Sequence, residues 1–189
     1  NDNERYFIKH VLAFFASSDM FISENLACRF INEVQIVEAK VFYGFQNMME
    51  NIHSETYSNM IQTYIINVEE RAKLLNAVET MPCVTEKAQW AKKWIHSDQC
   101  FATRLVAFAI IEGVFFSGSF CAIYWLNERG IMRGLGKANE FIARDEALHV
   151  EHACLLYSKY IKNKISQEEF NAILNEAVEI ESRFITEAI

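Results

Sequence analysis

The sequence predicts an all-α protein, a bundle of long helices, and three observations carry that expectation. Proline occurs once, at Pro82, and glycine only six times in 189 residues, so little interrupts a helical run. Apolar residues recur at spacings of three and four over stretches too long for strands, and strict alternation is scarce. The hydrophobic share is 51% and the aromatic share 13%, ample material for the core of a single domain spanning residues 1–189.

The elements follow in order. Arg5 to Ser17 reads as a helix with Phe7, Val11, Phe14 and Phe15 on one face. Asn25 to about Tyr64 carries one long helical pattern, with a break expected near Tyr57–Ile61. Val68 to Glu79 is another, stopping before Met81-Pro82. Thr85, with Glu86 behind it, reads as the N-cap of a helix to about Ile95. Asp98 is the expected cap of a helix from Gln99 to Glu128. Gly130, Gly134 and Gly136 predict a loop, and Lys137 to Tyr160 a helix. Ser166-Gln-Glu-Glu169 has the form of a capping box for a last helix to about Ile185. The chain opens without Met and closes on Thr186-Glu-Ala-Ile189 with no stop signal, the pattern expected of the core of a longer protein.

A net charge of −7 argues against a nucleic-acid partner, because no basic stripe can neutralise phosphates. Cys28, Cys83, Cys100, Cys121 and Cys154 are scattered and form no C-x-x-C, so buried free thiols in a reducing, cytoplasmic compartment are expected. Leu105 to Leu126 is long enough to span a bilayer and holds one charge, Glu112. Its central Glu, its small residues and the lack of a Lys/Arg-rich flank favour a core helix over a membrane span. Gly113, Ser117, Gly118 and Ser119 weaken its middle, where a distortion would let the Glu112 carboxylate move.

Glu112 in an apolar run needs a reason, since a buried carboxylate must protonate, find a cation or bind metal. Asp19 poses the same question between Val11-Leu-Ala-Phe-Phe15 and Met20-Phe-Ile22. Two phrases, Glu50-Asn-Ile-His53 and Glu146-Ala-Leu-His149, place a Glu and a His about one helical turn apart on one face. Such pairs alone are barely above chance. Together with Asp19 and Glu112 they make four carboxylates and two imidazoles, the ligand set of a carboxylate-bridged dimetal site in a helical bundle. Four negative charges balance two divalent ions. The oxygen-rich, sulfur-free set suits iron or manganese and chemistry with O₂. His10, His96 and His152 lack this setting and read as ordinary surface or hydrogen-bonded histidines.

Tyr57 falls at +7 from Glu50 and +4 from His53, on the same face and about 6 Å further along the axis. Away from a metal it would be a core tyrosine. Beside a site that activates O₂ a phenol is the natural one-electron donor, and a stored phenoxyl radical needs a dry shell. Phe116 and Phe120, at +4 and +8 from Glu112, and Ile142, one turn before Glu146, are the candidates for that shell.

These phrases resemble the small, radical-generating subunit of class I ribonucleotide reductase, eukaryotic type. The matching stretches are Glu4-Arg-Tyr-Phe-Ile, His10-Val-Leu-Ala-Phe-Phe-Ala-Ser-Ser-Asp19, Glu38-Ala-Lys-Val-Phe-Tyr-Gly-Phe-Gln46 and Glu50-Asn-Ile-His-Ser-Glu-Thr-Tyr57. Glu79-Thr-Met-Pro-Cys83, Glu112-Gly-Val-Phe-Phe-Ser-Gly-Ser-Phe120 and Arg144-Asp-Glu-Ala-Leu-His149 follow in the family's order. The resemblance implies a ferritin-like fold, with Asp19, Glu50, His53, Glu112, Glu146 and His149 as ligands of two irons. It implies Tyr57 as the radical tyrosine and Phe116, Phe120 and Ile142 as its hydrophobic pocket. It implies that Asp145 links the iron-ligand His53 to a tryptophan on the radical-transfer path. None of Trp90, Trp94 and Trp125 stands at that tryptophan's position, and the family's C-terminal tyrosine and docking tail have no counterpart before Ile189. A homodimer working with the large subunit is the implied assembly. The rivals are another ferritin-like di-iron oxidase or iron store, and a non-catalytic helical partner with a vestigial site.

Overall fold

The computed structural model describes residues 2–188; for residues 19–21 and 188 only the backbone is described. Every element among the described residues is helical, as expected. The chain divides into two compact units, one running to Ala88 and the other Gln89–Glu187.

In the first unit, α1 (Asp2–Asn25) continues through a π turn (Leu26–Phe30) into a short α2 (Ile31–Glu33). α1 packs along α3 (Val37–Tyr64), which fixes the frame of the unit. The apolar face of α1 buries Phe7, Val11, Leu12, Phe14 and Phe15. The expected continuous helix from Asn25 instead breaks at residues 34–36. Val34 and Ile36 are extended, and Asn32 Nδ2 donates to the Ala27 and Cys28 carbonyl oxygens at 2.9 and 3.3 Å, satisfying two carbonyls near the helix end. The break expected near Tyr57–Ile61 does not occur. Ala39, Tyr43, Gln46, Glu50, His53, Tyr57 and Ile61 form one buried stripe, and that packing carries α3 straight through.

The helix expected over Val68–Glu79 divides at Asn76 into α4 (Val68–Leu75) and α5 (Ala77–Thr80). Asn67 caps α4, its side chain accepting from the Glu70 N–H at 2.9 Å. α6 (Pro82–Ile95) begins at Pro82 rather than at Thr85, because proline suits the first helical position. The Thr85 hydroxyl bonds back to the Val78 and Met81 carbonyl oxygens at 2.6 and 3.0 Å.

The second unit holds the end of α6, then α7 (Phe101–Ile110), a second π turn (Ile111–Phe115) and α8 (Ser117–Glu128). The run expected as one helix from Gln99 therefore changes register around Glu112, within the stretch weakened by Gly113. Extended Cys100, not Asp98, occupies the N-cap of α7. The expected glycine loop is shorter than Gly130–Gly136. Gly130 (φ 73°) and Met132 (φ 54°) make the turn, and α9 (Arg133–Lys159) takes in Gly134 and Gly136. A Cβ on Gly136 would lie 2.6 Å from Asn127 Cγ, so α8 and α9 approach where only glycine fits. Ser166 caps α10 (Gln167–Ala188) by accepting from the Glu169 N–H at 3.1 Å. The Glu169 carboxylate accepts instead from the Thr103 hydroxyl at 2.8 Å.

Asp2–Glu33 and Phe101–Glu128 are each long and apolar enough to cross a membrane by length and composition. Along the second, Leu105, Ala107, Phe108, Phe115, Phe116, Ile123 and Leu126 are buried in the protein, the pattern of a core helix. Only Cys83 meets the expectation of buried thiols. Cys28, Cys100, Cys121 and Cys154 form no disulfide and are exposed, Cys100 at the extended N-cap of α7 and the other three on helical segments, turned from the core.

Candidate metal centre

The first unit places Glu50, His53 and Tyr57 in succession on the buried stripe of α3, each 1% exposed or less. Helical spacing alone accounts for this, since steps of three and four return a side chain to the same face. His53 Nδ1 lies 3.6 Å from Glu50 Oε2, so ring and carboxylate converge on one point. Tyr57 follows one turn on, its ring stacked on Phe15 of α1 with centroids 4.4 Å apart and planes 5° apart. Asp19 belongs to α1, and its side chain lies outside the described residues.

The second unit brings Glu112, Glu146 and His149 together. Glu112 stands on the second π turn, and Glu146 and His149 lie one turn apart on α9. His149 Nδ1 is 3.2 Å from Glu146 Oε2 and 3.4 Å from Glu112 Oε2. One ligand atom from each of the three lies within 4.8 Å of the others, and all three residues are buried. Burial pushes the Glu112 carboxyl well above the ordinary carboxylate range, and repulsion from Glu146 and a shared hydrogen bond with it add to the rise. His149 offsets part of this. Two carboxylates and an imidazole buried this close together are a donor set that a divalent cation would satisfy. The π turn matters here because it shifts the register of one turn and re-aims the Glu112 side chain.

Phe116 and Phe120 pack edge to face with centroids 6.0 Å apart, and Ile142 is buried on α9 one turn before Glu146. Asp145 is half-buried beside Glu146. Of the remaining histidines, His10 and His96 behave as ordinary residues. His10 Nδ1 sits 2.9 Å from the Tyr6 carbonyl oxygen, and His96 is exposed. His152 is half-buried on α9, and burial, aided by the nearby His149, lowers its pKa to about 4, keeping it neutral. Two residues beside the site carry no site role in the sequence reading, where Phe15 is a core residue of the first helix and Gln46 part of a motif. Phe15 faces Tyr57 from another helix, where spacing along α3 gives no signal. Gln46, fully buried one turn before Glu50, continues the polar part of the stripe and was signalled only by its place on that face.

A helical fold that buries Glu–His pairs of this kind is that of a ferritin-like protein, with core donors that suit metal. Known proteins sharpen that class. The family model described as "Ribonucleotide reductase, small chain" matches residues 1–189. The ribonucleoside-diphosphate reductase small chain of Trypanosoma brucei brucei is 58% identical over 189 residues, covering all of this chain and 56% of that protein. One of the Arabidopsis thaliana small chains of the same enzyme is 57% identical over the same length, covering all of this chain and 57% of that protein. Among solved structures, the Rnr4 homodimer from Saccharomyces cerevisiae aligns with a TM-score of 0.88 at 34% identity, over 98% of this chain and 59% of that one. The chain belongs to the ribonucleotide reductase small-chain family. It spans a little over half the length of the relatives it matches.

Proposed function

We propose that this chain is the radical-generating part of a ribonucleoside-diphosphate reductase small subunit. The reading rests on one observation above all: two Glu–His pairs are buried, one on α3 and one on α9, each spaced by one helical turn, with Tyr57 one turn beyond the first. Asp19, Glu50, His53, Glu112, Glu146 and His149 would hold two iron ions, or manganese in their place. Their four carboxylates would neutralise the four positive charges, removing the cost of burying them. The metal pair, given O₂, supplies the oxidising power for the reaction.

The chain's own residues do the rest. The Nδ1 of His53 and of His149 faces a glutamate oxygen, so Nδ1 is the atom that would be offered to a bound metal, and Nε2 would then carry the proton of the neutral ring. Tyr57 gives up one electron and its phenolic proton to become the radical. Phe116, Phe120 and Ile142 exclude water from it. His53 and Asp145 begin the path by which the oxidation leaves toward a large subunit, where ribonucleotides are reduced to deoxyribonucleotides. A homodimer is the assembly we propose, in keeping with the homodimeric yeast relative.

Addition of ferrous iron and O₂ tests the reading. A stable organic radical is expected, lost in Tyr57→Phe while iron binding persists. Bound iron with no radical in the parent protein would instead support a di-iron oxidase or iron-handling protein.

A further inference from the structure

Phe14 and Phe15 are neighbours in sequence, so on α1 they point about 100° apart. Phe15 lies against Tyr57, nearly parallel at 4.4 Å. Phe14 tilts against Phe15, with centroids 5.6 Å apart. Over the Phe14 ring sits a cation: Lys87 of α6, its Nζ 3.8 Å from the ring centroid. None of the four is exposed by more than 3%, and Lys87 itself by 2%. Lysine is almost never buried so deeply, because the ammonium loses its hydration. The negative face of an aromatic ring returns part of that loss, and does so best where water is excluded.

We infer that Phe15, Phe14 and Lys87 are positioning residues for Tyr57, a braced wall of rings that fixes the phenol and closes the α1 side to radical loss. The inference rests on the reading of Tyr57 as the radical residue. The parallel Phe15 ring limits rotation of the Tyr57 ring. Lys87 holds Phe14, and Phe14 backs Phe15. Radical loss requires one electron and one proton to reach Tyr57, restoring the phenol, while a donor is oxidised. Phenylalanine is far harder to oxidise than a phenol, and a hole passed into Phe14 would meet the positive charge of Lys87. Relay of an electron through this wall is therefore blocked.

The test compares Phe15→Leu, Lys87→Met and Lys87→Arg in the iron-loaded protein, with ascorbate as a one-electron reductant. The β-methylene hyperfine splitting of the tyrosyl radical reports the ring angle, and the radical's half-life in ascorbate reports access. Phe15→Leu should change the splitting and shorten the half-life about tenfold, a barrier change of about one rate decade. Lys87→Met should do the same more weakly, and Lys87→Arg should restore parent behaviour, since a guanidinium also stacks on a ring. Phe15→Met replaces the Leu variant if that one fails to fold. A second arm uses metal-free protein carrying 3-fluorotyrosine at position 57, where loss of the Phe15 ring current should move the ¹⁹F resonance. An unmoved resonance overturns the wall whether or not a radical forms. A moved resonance with no radical in the parent upholds the positioning and overturns the chemistry assigned to Tyr57. Unchanged splitting and half-life in both Phe15→Leu and Lys87→Met overturn the inference.

Discussion

Glu112→Gln should make the metal-free protein more stable while weakening its hold on metal. Glutamine keeps the shape of the side chain and removes its charge. In the metal-free protein the Glu112 carboxyl is buried and repelled by Glu146, so its pKa stands well above the ordinary 4.5. A carboxyl with a raised folded pKa costs nothing while protonated in both states. Its cost begins as pH rises past about 4.5, where the unfolded chain ionises, and grows until pH passes the folded pKa. The parent should therefore lose stability relative to the variant across that window. Replacing a buried, repelled charge by a neutral isostere should stabilise metal-free Glu112→Gln by about 1–3 kcal/mol at pH 8. Loading works in the opposite sense. The ligand charge drops by one, and iron bound should fall from about two per chain to about one, with affinity down at least about tenfold. Urea unfolding of both proteins at pH 5 and pH 8, with an iron titration, measures both effects. A variant no more stable than the parent at pH 8, or one that still binds two irons tightly, would refute the electrostatic argument.

Other expectations follow from the same structure. His152, with a pKa lowered to about 4, binds its proton less readily folded than unfolded, so stability is lost as pH falls from about 6.5 to 4. His152→Gln should remove about 1–2 kcal/mol of that acid sensitivity, the half exposure of the ring having been allowed for, as read by urea melts at pH 7 and pH 4.5. Gly136→Ala drives a Cβ to 2.6 Å from Asn127 Cγ and 2.9 Å from its Cβ. It should cost about 1–3 kcal/mol although alanine favours helices, and a raised melting temperature would contradict the close approach. Asp145→Asn should leave iron content and radical yield intact while slowing nucleotide reduction with the large subunit. Loss of the radical itself would place Asp145 in site assembly instead.

What the sequence made legible was whatever lies along a single helix. Glu50, His53 and Tyr57 share one face through spacing alone, and Glu146 and His149 through the same rule. Glu112 was visible as a charge in an apolar run. The π turn that carries it was foreshadowed only by weak helix formers such as Gly113, since π register depends on hydrogen-bond pairing that no residue type dictates. The break at residues 34–36 contains neither glycine nor proline, and a side-chain bond from Asn32 accompanies it. The Phe15–Tyr57 stack joins two helices, so it depends on how α1 packs on α3. The exposure of four cysteines was missed because composition reports the habit of a residue type rather than the face it occupies.

In the function proposed above, two metal ions and O₂ oxidise Tyr57. Electron paramagnetic resonance of the iron-loaded protein, grown with β-deuterated tyrosine, tests it most directly. About two irons per chain are expected, with a radical whose hyperfine splitting collapses on deuteration and which is lost in Tyr57→Phe. Two bound irons with no radical, or a radical that survives Tyr57→Phe, would contradict it.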